Sequence, residues 1–531
     1  MTRSDLHPAL VEDMLKKNID IELALDILDR FNRGEFDNIE KTIPSGVPPI
    51  DGVHVVDVRD AVSGNVIFRV PRDKAIEHLR KLDIALQKEL AGESAEIAED
   101  GMRWLAFSRE QLETIGRQLL PRCAYGVLNG GSATSYADIK KNRAIDAHLF
   151  EAIQPIFAEY APLCHERPKG LTPAYVNPDG SPGASFLELK IRARLLAAER
   201  QGRSALTRLA REAESVGRTS PEAFLPLFQM TSTTNHEVLM QAYESFRDSP
   251  FLAGLAKRTG IDPCAWLSGV QPMIAAYTHS REGRPKRIFD QAYGREHTAL
   301  ALPGGHGQCF TVLSESLKKL KDMGVRYAML SNVDNIGAFI DPLEIGILAV
   351  SGKPAGFDFA FRTPVDVKGG ILVSTADGRK TVVDIGPAID FEQVMELEKK
   401  GNAILFNCAS GIFDLEWLVP RLEDIARRLP MRFTDQQKDA GFYSQAEQVT
   451  WEVVSLLPDF IAFAVDKNRR FLAAKMLVEM LLTSGFGVDL DSVPPQLRET
   501  GSALHEGQQW LLSHVYGLVL KNGRWIPEES V

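Results

Sequence analysis

A chain of 531 residues is too long for one simple core, so two or three structural regions are expected. With 44% hydrophobic and 25% charged residues it has the balance of a globular protein, and a net charge of −10 excludes the broadly basic surface of a general nucleic-acid binder. A small anionic ligand is not excluded, because a local group of lysines holds phosphates whatever the overall charge.

No uninterrupted apolar run has the length to span a bilayer, so no membrane partner is expected. The opening MTRSDLHPALVEDMLKK lacks the apolar core of a signal peptide and reads as a capped amphipathic helix. The five cysteines (Cys123, Cys164, Cys264, Cys309, Cys408) are scattered, odd in number and without a CxxC pair. That fits neither a disulfide framework nor a zinc site and points to a reducing cytoplasm.

In chain order, residues 1–115 are expected to form a mainly helical accessory region, from the apolar spacing of IELALDILDRF and DKAIEHLRKLDIALQKELAG. Between these, GVHVVDVRDAVSGNVIFRV reads as a hairpin turning at Ser63-Gly64. Residues 116–475 alternate short apolar strands with amphipathic helices. The strand candidates are CAYGVLNGG, FLPLFQMTS, VRYAMLSNVDN, GFDFAFR and AILFNCASGIF; CFTVLSESLKKLKDMG and DLEWLVPRLEDIARRL are helices between them. This alternation predicts an open, mostly parallel α/β sheet covered by helices, with ligands outside the carboxyl ends of its strands. ILVSTADGRKTVVDIG interrupts it as a hairpin with Asp377-Gly378 in the turn. Residues 476–531 form a short extension without a repeat.

Several residues at strand ends have the types that phosphate chemistry needs. Gly130-Gly131 follow a strand and permit close backbone approach to phosphate, although any strand-loop junction can use glycine. The surroundings match neither GxGxxG nor the Walker pattern, which speaks against a dinucleotide fold or an ordinary kinase. Asp334 directly follows an apolar strand, where a carboxylate is placed to hold Mg²⁺ or, equally, to cap a turn. Asn332 and Asn335 flank it with groups suited to a ribose or hexose. His306 stands in the glycine-dense LPGGHGQC, and Gln271 carries a paired donor and acceptor that match a uracil edge. Lys169, Lys368 and Lys475 are by default solvated surface residues, but the glycines after Lys368 and the apolar run before Lys475 suggest that these two point inward. Several lysines with Mg²⁺ would suit displacement at phosphorus.

Taken in order, LNGG (128–131), PKGLTP (168–173), GGHG (304–307), SNVDNIGA (331–338), DVKGG (366–370) and NRRFLAAK (468–475) resemble the UTP–glucose-1-phosphate uridylyltransferases and related UDP-sugar pyrophosphorylases of the eukaryotic type. QMTSTTNHEV (229–238) and QAEQVTWEVV (445–454) follow the family more loosely. The resemblance covers roughly 120–475 and implies that 116–475 is a nucleotidyltransferase catalytic domain. Its fold would be that of a nucleotide-diphospho-sugar transferase, a Rossmann-like α/β domain with a mixed, mostly parallel sheet. It further implies that Leu128, Asn129, Gly130 and Gly131 hold uridine and phosphates, that Lys169 contacts the UTP phosphates and that Gln271 reads uracil. Gly305 and His306 would line the nucleotide and sugar site, and Asn332, Val333 and Asp334 would contact the sugar nucleotide, with Asp334 as the Mg²⁺ ligand. Lys475 would stabilise charge on the transferred phosphoryl group, with Lys368 as a supporting positive charge.

The partners implied are UTP and a sugar 1-phosphate, with glucose 1-phosphate favoured by SNVDNIGA and DVKGG. The alternatives are a UDP-N-acetylhexosamine or broad-specificity UDP-sugar pyrophosphorylase, and a non-catalytic UDP-sugar-binding regulator. The chain departs from the family at Ser132 and Ala133, where a further glycine is usual, and in lacking a late Asn-Pro-Lys motif near FTDQQKD. Lys169 also lies 38 positions after Gly131, much farther than in relatives. Lys140 and Lys141 are nearer but lack the Pro-Lys-Gly context. The intervening 132–167 is either surface decoration or a lid that brings Lys169 to the phosphates. The family's C-terminal β-helix is not expected in 476–531, which leaves a monomer or weak oligomer.

Overall fold

The computed structural model describes residues 2–37, 43–59, 66–82, 95–99, 101–131, 133, 136–202, 224–363, 366–386 and 388–528. Ten strands form its central sheet: β1 (Val55–Asp57), β2 (Cys123–Leu128), β3 (Leu227–Ser232), β4 (Trp266–Gln271), β5 (Tyr327–Asn332), β6 (Ala355–Phe361), β7 (Gly370–Ser374), β8 (Lys380–Asp384), β9 (Leu405–Asp414) and β10 (Ile461–Val465). The order is β1-β10-β6-β9-β5-β2-β3-β4, with β7 and β8 branching from β9. Along that path β9 runs antiparallel to β6 and β5, and every other neighbouring pair is parallel. The sheet is therefore mixed and mostly parallel, as expected. Strands β2 and β3 are buried along their whole length, the mark of a sheet covered on both faces.

Of the two expected hairpins, one is present. The β7–β8 hairpin forms, and Gly378 takes the left-handed conformation (φ +80°) that its turn requires. The other is a correction. Val55–Asp57 pairs in parallel with β10, whereas Phe68–Pro71 pairs antiparallel with Met102–Phe107 in a separate three-stranded sheet. The alternating pattern marks both segments as strands but carries no information about their partners; the turn assigned to Ser63-Gly64 lies outside the described residues.

Five helices frame the carboxyl ends of β2 and β5: α1 (Ala147–Cys164), α2 (Phe186–Gln201), α3 (Pro342–Ser351), α4 (Leu477–Thr483) and α5 (Pro495–Trp510). Helix α1 buries Leu149, Phe150, Ile153, Phe157, Tyr160 and Cys164 in the same core that holds Tyr125 and Val127 of β2. Just before it, Asn142 donates from Nδ2 to the Tyr136 carbonyl (2.8 Å) and accepts the Val478 N–H at Oδ1 (2.9 Å). The Leu477 N–H reaches the same Tyr136 carbonyl (3.0 Å). Burial of large apolar side chains stabilises by roughly 1.5–3 kcal/mol each, so lifting this segment as a unit would cost far more than a ligand contact returns. Of the two readings of 132–167, surface decoration or a lid, this anchoring of its described part favours a fixed segment.

After α5 the chain closes with a hairpin, Leu518–Lys521 paired to Arg524–Pro527, whose Trp525 N–H donates to Asn177 Oδ1 at 2.9 Å. Among the described residues no β-helix follows Lys475, and no helix is long and apolar enough to cross a membrane.

Candidate active site

Strands β2 and β5 are adjacent and parallel, with Leu128 opposite Asn332, so the LNGG and SNVDN segments leave the sheet side by side. The Val333 N–H still donates to the Leu128 carbonyl (3.3 Å). The excursion that follows LNGG returns to its starting point. The Ala133 N–H donates to Arg167 O (2.9 Å) and the Lys169 N–H to Gly131 O (3.2 Å), so the long intervening stretch closes into a loop at its base. Lys169 begins a short 3₁₀ turn, and its ammonium donates to Asp334 Oδ2 while lying 5.0 Å from the centre of the Tyr136 ring.

The loop backbones pack closely here. A Cβ on Gly170 would come within 2.6 Å of Asn129 Oδ1, so glycine is required for the Lys169 turn to sit against LNGG. Gly131 differs: a Cβ there would meet no described atom within 4 Å. Packing among the described residues makes no demand for glycine at 131, whereas close approach of a ligand to the backbone would. Asn129 is buried, donates from Nδ2 to Gln229 Oε1 (3.2 Å), and its carbonyl accepts from Asn235 Nδ2 (2.9 Å).

Gln271, at the end of β4, is buried and spends both amide protons internally, on Gly305 O (2.7 Å) and Gln308 Oε1 (2.8 Å). Its Oε1 remains as an acceptor close to Gly130. Gln271 thus ties the LNGG loop to the GGHG loop. Gly305 has φ +81°, and a Cβ there would lie 2.3 Å from Gln448 O, so both conformation and contact demand glycine. Next to it, His306 Nδ1 accepts the Thr450 N–H (3.1 Å), and the Thr450 hydroxyl donates to the His306 carbonyl (2.8 Å). Burial pushes His306 down to about 4, and the Lys475 ammonium adds to the fall. With Nδ1 occupied as an acceptor, the neutral ring carries its proton on Nε2.

Asn335 fastens the SNVDN loop to the NRRFLAAK segment. Its Nδ2 donates to Arg470 O (3.0 Å), and its Oδ1 accepts the N–H groups of Leu472 and Gly337 (both 3.0 Å). Arg470 is buried and donates from Nη2 to Glu344 of α3 (2.7 and 2.8 Å) and to Asp358 of β6 (3.0 Å). These bonds place Lys475, whose ammonium is exposed and has no ion-pair partner among the described residues. Glu479, at the start of α4, accepts the N–H groups of Lys475 and Met476 (both 2.8 Å); burial raises its pKa, against the pull of these bonds and of Lys475 and Lys169.

Asn332, Asp334, His306, Lys368 and Lys475 all line one cleft of about 2080 Å³. Lys169, Gln271, Gly305 and the LNGG loop are not among the residues that line it; Lys169 is tied to it through Asp334, and Gln271 through Gly305, the neighbour of His306. Lys368 is exposed and takes part in none of these bonds; beside it, Asp366 pairs with Lys467 (2.5 Å). The inward orientation expected of Lys368 and Lys475 thus becomes exposure on a cleft wall. Sequence reasoning does not single out Glu479, Thr450 or Tyr136, and only Thr450 falls within a family-like motif, QAEQVTWEVV.

The donor set near Asp334 bears on Mg²⁺. Among the described residues no group of three His, Cys, Asp or Glu side chains is arranged to hold a metal. One carboxylate at a strand end fits a Mg²⁺ ion that arrives on nucleotide phosphates, since this ion keeps waters and takes one or two protein carboxylates.

Residues 285–494 match the family model described as UTP–glucose-1-phosphate uridylyltransferase, which bears out the resemblance read from the motifs. Among curated relatives, the UTP–glucose-1-phosphate uridylyltransferase of Astragalus penduliflorus is 26% identical over 216 residues, covering 39% of this chain and 45% of that protein. The protein of the same name from Hordeum vulgare is 29% identical over 184 residues, 34% of this chain and 38% of that protein. The match thus spans less than half the length of these relatives. Of solved structures, the uridine diphosphate N-acetylglucosamine pyrophosphorylase of Trypanosoma brucei covers 97% of this chain and 91% of its own at 15% identity, with a TM-score of 0.55. A mutant UDP-glucose pyrophosphorylase of Leishmania major, in complex with UDP-glucose, covers 91% of this chain and 79% of its own at 15% identity, with a TM-score of 0.51. The chain shares their mixed α/β fold.

Proposed function

We propose that this chain is a UTP:sugar-1-phosphate uridylyltransferase that converts UTP and glucose 1-phosphate into UDP-glucose and pyrophosphate. The observation that carries the reading is the contact between Lys169 and Asp334. Lys169 lies outside the family-matched stretch and Asp334 inside it, yet they meet at the carboxyl ends of adjacent parallel strands. This is the position where α/β sheets bind ligands. In the proposed reaction an oxygen of the sugar phosphate attacks the α-phosphorus of UTP, and the bond to the bridging oxygen breaks to release pyrophosphate. The chain's part is to hold and orient: Leu128–Gly131 with Lys169 at the nucleotide phosphates, the His306 Nε2–H and Asn332 as donors, and Lys475 at the transferred group. Asp334 would hold Mg²⁺, which when bound offsets charge on the departing pyrophosphate.

Glucose 1-phosphate is favoured by SNVDNIGA and DVKGG and by the names of the curated relatives. A cytoplasmic setting accords with five unpaired cysteines. Pyrophosphate release from UTP with a panel of sugar 1-phosphates, including glucose and N-acetylglucosamine 1-phosphates, tests the reading. Release with glucose 1-phosphate well above the rest is expected. Preference for the N-acetyl sugar would reassign the substrate, and no release with UDP-sugar binding retained would make the chain a regulator.

A further inference from the structure

Lys190, in the second turn of α2, is fully buried. A buried ammonium is costly unless its donors are met, and among the described residues no carboxylate bonds to it. Instead its Nζ donates to the carbonyls of Asn335 (2.5 Å) and Ala338 (2.8 Å) and lies 5.5 Å from the centre of the Tyr125 ring. The Tyr125 hydroxyl donates to the same Ala338 carbonyl (2.6 Å), and the Tyr516 hydroxyl donates to Ile336 O (2.5 Å). Three carbonyls within residues 335–338, immediately after Asp334, therefore turn toward donors from α2, from β2 and from the segment after α5. Burial lowers the Lys190 pKa to about 7; of the charged groups that act on it through space, Asp334 favours the ammonium and Arg470 opposes it.

The start of α2 also abuts the other half of the site. A Cβ on Gly170 would lie 2.9 Å from the Leu187 side chain, and the Phe186 N–H donates to Thr172 O (3.3 Å). One stretch of helix, 186–190, thus touches both the Lys169 turn and the Asp334 loop. Stability alone does not call for a charge there, since a packed apolar side chain of similar length avoids the desolvation.

We propose that Lys190 is a positioning residue: its ammonium, with the Tyr125 and Tyr516 hydroxyls, gathers the 335–338 carbonyls so that Asp334 is held at the strand end facing Lys169. Its catalytic consequence rests on the uridylyltransferase reading; its structural content does not. The test uses full-length Lys190→Met beside wild type, reading amide exchange along the chain and kcat and KM for UTP with glucose 1-phosphate. Exchange in 333–338 should quicken by about tenfold or more with the amides of β2 unchanged. Per folded molecule, kcat should fall by about tenfold or more with KM for UTP little altered, and Lys190→Arg should restore part of it. A folded Lys190→Met with wild-type exchange in 333–338 overturns the proposal, as does a lowered Tm with unchanged kcat. Should Lys190→Met fail to fold, Tyr516→Phe removes one donor alone. It should give the same pattern in smaller measure, and wild-type behaviour there also overturns the proposal. If wild type releases no pyrophosphate, the uridylyltransferase reading falls, while the exchange comparison still decides whether Lys190 holds the loop.

Discussion

The ammonium of Lys169 donates to the carboxylate of Asp334 across 165 positions of sequence, with the two side chains only 14% and 13% exposed. Each is thereby the other's main partner, and nucleotide phosphates would compete with Asp334 for Lys169. Asp334→Ala should fold and lose most turnover, about 10²-fold or more. It should also bind metal-free UTP more tightly than wild type, because Lys169 is released to the phosphates. Near-normal turnover of the folded variant at limiting Mg²⁺ would remove Asp334 from the reaction.

Lys475 is presented on the cleft by a rigid base, through the Arg470 ion pairs and the Asn335 bonds, while its own ammonium has no ion-pair partner among the described residues. A charge held this way and engaged chiefly as the phosphoryl group transfers should affect rate more than binding. Lys475→Ala is expected to lower kcat by on the order of 10²-fold, about 3 kcal/mol, with little change in KM for UTP. A raised KM at unchanged kcat would make Lys475 a binding residue only.

His306 predicts a pH dependence of stability. Burial, reinforced by Lys475, holds its folded pKa at about 4, below the ordinary value of 6.5. As pH falls, the unfolded chain takes up this proton first, so the contribution is present above 6.5 and is lost toward 4. On the order of 2–3 kcal/mol should disappear between about pH 7.5 and 4.5. Urea denaturation of wild type and His306→Asn at both pH values measures it: the gap between the two proteins should narrow by that amount at the lower pH. A constant gap would mean that His306 titrates near its usual value.

What the sequence discloses, and what it withholds, follows from the range of the interactions concerned. The ends of β2 and β5, Gly131 and Asp334 are legible because an apolar run followed by glycine or a carboxylate is a local pattern. The Ser63-Gly64 hairpin misleads because alternation reports a strand's faces and not its partner, and Val55–Asp57 finds that partner in β10, some 400 positions away. Lys190 is invisible in the sequence: within a helical segment of mixed charge a lysine reads as solvated, and only the return of 335–338 against α2 reveals its acceptors. Glu479 is hidden similarly, by its place as a capping residue of α4.

The segment between Gly131 and Lys169 yields the last prediction. Its helix α1 is anchored by six buried side chains, and the stretch before it is sewn to α4 through Asn142 and Tyr136. A lid would expose that apolar face on opening, whereas a wall keeps it covered whether or not nucleotide is bound. The other end of the segment is different: one backbone bond, from the Lys169 N–H to Gly131 O, joins 167–171 to LNGG, and this turn carries the lysine proposed to meet phosphate. UTP with Mg²⁺ should therefore slow amide exchange at 167–171 and at LNGG and leave the amides of 147–164 unchanged. Exchange followed by mass spectrometry at saturating nucleotide measures both regions at once. Protection spreading through 147–164 to the same degree as at LNGG would restore the lid, and would mean that α1 exchanges through openings that its buried face should prevent.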